Sequence, residues 1–94
     1  MALQTVHPFT RDPREPSHHE LDPLRFAGHT VNLSLTIRQD DDGAWRGRLR
    51  FFDPDAPREL ETAEIFCGAS EEDLWRAVHD LRDHHLRDLY RSLA

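Results

Sequence analysis

The chain has 94 residues, of which 37% are hydrophobic and 32% charged, so we expect one small domain with limited material for a core. Eighteen acidic against twelve basic residues leave a net charge of −6, which argues against a surface devoted to nucleic acid. No apolar run reaches the roughly 18 residues of a membrane span, the first residues lack the pattern of a secretory signal, and a single cysteine excludes an internal disulfide. We therefore expect a cytoplasmic protein that contacts no membrane.

Residues 1–29 differ in composition from the rest of the chain. They hold four of the six prolines, and no apolar period can be counted through them. Prolines remove backbone donors and disfavour helix at the preceding residue. This predicts a Pro-rich arm that is extended or disordered, preceding one domain at residues 30–94. A short helical turn from Glu20 to Phe26 is the alternative within the arm.

A β-hairpin follows the arm. From Val31 to Ile37, apolar residues occupy every second position, which is typical of a half-buried strand. The segment from Asp40 to Gly43 predicts a turn, because glycine readily adopts a positive φ. The return strand places Trp45, Gly47, Leu49 and Phe51 on one face.

A third strand is predicted from Glu59 to Cys67. Its facing is ambiguous, and we favour Ala63, Ile65 and Cys67 inward with Glu64 outward. Cys67 is then a small, inert core residue.

The rest of the chain predicts a helix. Ser70 can cap its first turn, which is acidic. An apolar stripe continues to about Ser92, giving about 22 residues and roughly 33 Å of helix. The stripe consists of Leu74, Trp75, Val78, Leu81, His85, Leu86, Leu89 and Leu93. The predicted fold is α+β: a three-stranded antiparallel sheet (β-β-β-α) with one long C-terminal amphipathic helix packed on one face.

One face of the hairpin carries arginines that are candidate partner-binding residues. Guanidinium groups bind phosphates or acidic proteins, and an aromatic residue beside them would act as an anchor. The alternative is a solvated face on which the arginines pair with Glu61 or Glu64. The candidate residues are Arg38, Arg46, Arg48, Arg50 and Phe52.

Two further features lie on the predicted helix. Asp80, His84 and Asp88 share a face at spacing i, i+4, i+8, which is compatible with metal ligands, but nearby arginines favour a charged solvated face. We predict no metal and no cofactor. With no Gly-rich phosphate loop and no nucleophile beside a base, we predict no enzyme.

The helix also predicts a dimer contact. A long helix beside a small core makes burial between two subunits plausible, so a homodimer is expected. The candidate residues for this contact, which would be sensitive to pH, are His85, Leu89 and Leu93.

Two stretches resemble the HicB-type antitoxin domain. Asp40-Asp41-Asp42-Gly43-Ala44-Trp45 is similar to that family's hairpin turn, and Gly68-Ala69-Ser70-Glu71-Glu72-Asp73-Leu74 is similar to its entry into the helix. The resemblance implies a dimer-forming, cytoplasmic module that neutralises a small RNA-cleaving toxin. The sequence therefore predicts a non-catalytic protein-interaction module, a regulator or inhibitor. The alternative is an RNA-binding or ribosome-associated module that uses the arginines of the sheet, since such domains share the β-β-β-α order.

Overall fold

The computed structural model describes residues 14–56 and 58–94. Their antiparallel sheet has the strand order β1-β2-β3-β4, and β5 also pairs with β3. This confirms the α+β class, but the sheet has five strands rather than three. The elements are β1 (Ser17–Phe26), β2 (His29–Gln39), β3 (Trp45–Asp53), β4 (Arg58–Glu61), β5 (Phe66–Gly68), α1 (Glu71–His79) and α2 (Asp83–Leu93).

The predicted hairpin is β2 and β3. Leu35 lies opposite Leu49, so the apolar positions of both strands share the face that the helices cover. The turn is closed by Asp40, whose carboxylate accepts the backbone N–H groups of Asp42 (3.0 Å) and Ala44 (3.1 Å). Gly43 has a φ of 87°, which glycine adopts without steric cost.

β1 was not predicted. Ser17–Phe26 pairs with β2 along its length, so this part of the predicted arm is a strand of the sheet and contains no helical turn. Residues 1–13 of the arm lie outside the described residues. The register shifts by one residue between Leu21 and Leu24, a bulge-like irregularity in the segment that contains Pro23. The bulge changes the parity of the buried positions, so the sequence shows no regular alternation.

A two-residue turn, Ala27-Gly28, joins β1 to β2. Both residues have positive φ, 52° and 86°, as in the type I′ turns of tight hairpins. Ala27 adopts this conformation although it carries a Cβ, which costs roughly 1–2 kcal/mol. Packing must therefore hold this turn. Phe26 contacts Tyr90 of α2 with ring centroids 5.0 Å apart, and His19 contacts Trp75 of α1 at 5.2 Å.

The predicted third strand is divided into β4 and β5, which both pair with β3. Thr62 bridges the gap: its N–H donates to the Leu49 carbonyl (2.9 Å), and its hydroxyl accepts the Leu49 N–H (3.0 Å). The set of residues that we favoured as inward-facing was wrong. Thr62 and Phe66 are buried, whereas the side chains expected inside are exposed: Ala63, Ile65 and Cys67.

The predicted single helix is also wrong, because two helices occupy its place. Ser70 caps α1 as expected, accepting the Asp73 N–H at 3.1 Å. α1 ends at His79 with Asp80 as its C-cap, and Arg82 is extended, with φ −99° and ψ 163°. The break separates α1, which packs on β5 and β3, from α2, which packs on β1 and β4.

The core lies between one face of the sheet and the two helices. Tyr90 belongs to it although the stripe omitted this residue, and its ring contacts Phe51 at 5.3 Å. In the described part of the chain, no helix is long and apolar enough to cross a membrane. The buried apolar residues are Leu24, Val31, Leu33, Leu35, Ile37, Leu49, Phe51, Phe66, Leu74, Val78 and Tyr90.

Candidate functional site

The arginines predicted to share one face of the hairpin do so. In the register of β2 and β3, Arg38 lies opposite Arg46, while Arg48 and Arg50 follow on β3. Their side chains point away from the helices, because the alternate positions of β3 face α1: a Cβ on Gly47 would lie 3.4 Å from Leu74. We call this outer surface the Arg face. It comprises Arg38, Arg46, Arg48, Arg50 and Phe52 with the carboxylates of Asp40, Glu59, Glu61 and Glu64.

Each of the four arginines of the Arg face is paired with a carboxylate. Arg48 Nε lies 3.4 Å from Glu61 Oε2, an ion-pair contact that is not a hydrogen bond. Arg50 lies 3.3 Å from Glu61 and 3.4 Å from Glu59. The four arginines therefore face four carboxylates, and the surface is balanced in charge. This geometry matches the alternative given by the sequence, in which the arginines pair with Glu61 or Glu64 on a solvated face. Glu64 faces outward, as the sequence predicts.

The strongest pair joins Arg38 to Glu64. Arg38 donates two parallel hydrogen bonds, at 2.7 and 2.8 Å, to the two carboxylate oxygens. These bonds hold the pKa of Glu64 below its ordinary value, against the opposing effect of burial. In return, Glu64 raises the pKa of the Arg38 guanidinium. This bidentate pair fixes the loop between β4 and β5 against β2.

A second pair joins Arg46 to the turn. Arg46 Nε donates to Asp40 Oδ2 at 2.7 Å, and this hydrogen bond lowers the pKa of Asp40. The same carboxylate accepts two backbone N–H groups of the turn. Arg46 is therefore part of the hairpin's own structure, and its replacement would alter the turn as well as the surface.

β1 contributes a residue that sequence reasoning missed. His18 Nδ1 lies 2.9 Å from Thr36 Oγ1, and Thr36 lies opposite Arg48. Thr36 is only 5% exposed, although it lies on the outer face. The long side chains beside it therefore cover the middle of the Arg face. Because the sequence does not predict β1, nothing in it indicates that His18 lies beside Thr36 and Arg48.

A shallow concavity adjoins the Arg face, with a volume of about 300 Å³. Phe52 is half-buried and lines it together with Arg50. Glu20 of β1 and Glu59 of β4 contribute carboxylates to the same concavity. Its lining thus combines an aromatic ring with two acidic groups and one basic group.

Two of the candidate dimer residues, His85 and Leu89, share one surface, and the third packs on the core. His85 is exposed, and its Nδ1 accepts the Arg82 N–H at 3.2 Å, which caps α2. Leu93 is half-buried against the core. Leu89 lines an open groove of about 530 Å³ together with His85 and with Ile65, which is 46% exposed. Dimerisation stays a prediction.

The helix break removes the spacing proposed for metal ligands on the helix. Asp80 caps the end of α1, whereas His84 and Asp88 belong to α2. The three side chains therefore do not follow one helical face. Asp88 instead accepts a hydrogen bond from Arg91 at 2.9 Å, as expected for a charged solvated face.

No protein-family model, curated protein or solved structure matches this chain. The functional interpretation therefore depends on the geometry of the described residues.

Proposed function

We propose that this chain is a non-catalytic protein-interaction module, a regulator or inhibitor of the antitoxin-like kind, and that it binds a basic partner protein at the Arg face. The observation that carries the proposal is the pairing of all four arginines of the face with carboxylates. A nucleic acid would meet acidic groups beside every guanidinium, which opposes binding of a polyanion.

A folded protein with basic groups fits this surface better. The chain carries a net charge of −6, which attracts a basic partner from a distance. The concavity beside Phe52 can receive one lysine or arginine, because an aromatic ring attracts a cation over its face. Glu20 and Glu59 then supply the opposite charge. A small RNA-cleaving toxin, the partner implied by the HicB-like stretches, would fit this description, since proteins that bind RNA are commonly basic.

The test compares two charge reversals of equal size. Glu59→Arg changes the Arg face, whereas Glu72→Arg changes an exposed position on α1, on the other side of the sheet. Both variants have the same net charge, so the nonspecific electrostatic attraction of basic proteins is equal in the two. Tagged wild type and variants are used as bait in nuclease-treated lysate of the native cells, at low and high salt.

The proposal expects a discrete basic protein that wild type and Glu72→Arg retain and that Glu59→Arg loses by at least tenfold, an interfacial effect of about 1.4 kcal/mol. Phe52→Ser should weaken the same complex. Equal retention by the two reversals would contradict the assignment to the Arg face. Binding of labelled mixed-sequence RNA that weakens steeply between 50 and 200 mM salt would replace it with the RNA-binding alternative.

A further inference from the structure

Three potential metal ligands meet at the end of the sheet remote from the Arg46 turn. His29 begins β2 directly after the Ala27-Gly28 turn. Asp53 ends β3, and Asp55 lies in the following turn. Within residues 14–56 and 58–94, this is the group of three such side chains whose ligand atoms all lie within 4.8 Å of one another. We call it the His29 cluster.

The distances within the His29 cluster suit a shared ion better than direct hydrogen bonds. His29 Nδ1 lies 3.4 Å from Asp53 Oδ1 and 3.8 Å from Asp55 Oδ2. In a tetrahedral site with bonds of about 2.0–2.1 Å, neighbouring ligand atoms are roughly 3.4 Å apart. An ordinary N–H···O hydrogen bond is about 2.9 Å long.

Burial singles out the same atoms. Among the residues that the structure describes, His29 Nδ1 is inaccessible to solvent and has no hydrogen-bond partner, while its side chain as a whole is 33% exposed. The Asp53 side chain is only 6% exposed, and although its Oδ1 accepts the Asp55 N–H at 3.0 Å, the charge of a buried carboxylate is costly without a compensating cation. A cation between the two groups would give His29 Nδ1 a partner and compensate the charge of Asp53, and Asp55, which is 72% exposed, leaves one side open to water.

We propose that His29, Asp53 and Asp55 bind a divalent transition-metal ion, with Zn²⁺ as the ion to test. A neutral imidazole with two carboxylates is typical of zinc and related ions, whereas Ca²⁺ and Mg²⁺ prefer oxygen ligands alone. The remaining positions would be taken by water. The ion would tie the turn between β1 and β2 to the turn between β3 and β4, so its role is to hold the two turns together.

The competing interpretation is an ion pair between a protonated His29 and Asp53. Titration of Zn²⁺ into the metal-free full chain, followed by calorimetry, separates the two. We expect one ion per chain and a rise in the thermal midpoint, because a ligand that binds only the folded state stabilises it. His29→Gln should weaken Zn²⁺ binding at least about tenfold. Removing a residue that only hydrogen-bonds to a metal ligand already costs about this much, and His29 is itself a ligand.

Matched variants control for folding and for the other histidines. His84→Gln changes an exposed histidine outside the cluster and should leave the affinity unchanged. Asp53→Asn alters a buried group, so the exposed Asp55→Asn serves as the second ligand variant and should also weaken binding. In the wild type, Co²⁺ should broaden the NMR signals of Gly28 and Ala56 first. Absence of binding at millimolar Zn²⁺, equal affinity of His29→Gln, or broadening centred on another histidine would overturn the proposal.

Discussion

The two hairpins of this sheet share β2 but close in different ways. The turn between β2 and β3 contains Gly43 at a positive φ and is held by Asp40, which accepts two N–H groups and pairs with Arg46. The turn between β1 and β2 has a positive φ at Ala27, where a side chain is disfavoured.

The difference shows which forces hold each hairpin. The hairpin of β2 and β3 is stabilised locally, by residues within its turn and beside it, and these residues are recognisable in the sequence. The hairpin of β1 and β2 is held by contacts with α1 and α2, through His19 and Phe26. Its strained turn persists because burial elsewhere in the chain compensates for it.

The largest effect in this comparison is expected from removing a turn glycine. Gly43→Ala places a side chain at φ 87°, where the nearest atom is 3.8 Å away, so conformational strain rather than a clash sets the cost. After allowance for the less flexible unfolded chain, we expect a loss of about 1 kcal/mol in urea unfolding.

Gly28→Ala is the matched control in the first hairpin, because its φ is 86° and no atom of residues 14–56 and 58–94 lies within 4 Å of an added Cβ. A similar loss would show that both turns need glycine for the same reason. An unchanged free energy of unfolding in both variants would contradict the strain argument.

A smaller effect of opposite sign is expected from relieving the first turn. Ala27→Asn introduces a residue that tolerates a positive φ and should raise the free energy of unfolding by about 0.5–1 kcal/mol. Ala69→Asn, at an exposed position without positive φ, should give no gain. A loss of stability in Ala27→Asn would show that the alanine is required by packing.

The smallest effect concerns acid. The pKa values of Asp40 and Glu64 are lowered on folding by Arg46 and Arg38, so their stabilising contribution is present at neutral pH. It is lost as the pH falls from the ordinary values, 3.8 and 4.5, through the lowered folded-state values. Solvent screening keeps this contribution modest.

Urea unfolding between pH 7 and pH 3 measures this loss. The Asp40→Asn/Glu64→Gln double variant should show a shallower fall in stability than the wild type. Glu72→Gln, at an exposed position on α1, should leave the profile unchanged. A double variant with the wild-type slope would exclude these two pairs as the source of acid sensitivity.

The elements with a strict period were predictable. β2 and β3 alternate without interruption, so their strands, their facing and the arginines of the Arg face followed from the sequence, whereas the carboxylates of Asp40 and Glu59 did not. β1 did not, because the bulge near Pro23 moves the buried positions from Leu21 to Leu24. The helix break at Asp80 has no proline or glycine to indicate it, and the apolar stripe continues across it.

The same reasoning explains what was missed at the candidate sites. The pairing of Glu61 and Glu64 with the Arg face was foreseeable, because neighbouring strands bring their outward residues together. The His29 cluster was not, because it joins residues more than twenty positions apart through a turn that the sequence did not indicate. Tyr90 entered the core for a related reason: the break redirects α2.

The bulge in β1 also bears on self-association. β1 is the first strand in the order of the sheet, and within the described residues its outer edge pairs with no other strand. Such an edge presents unpaired N–H and carbonyl groups that can recruit a strand from another molecule. Pro23 removes a donor, and the bulge breaks the regular spacing of the remaining groups. The feature that conceals this strand in the sequence thereby also lowers its capacity to seed aggregates.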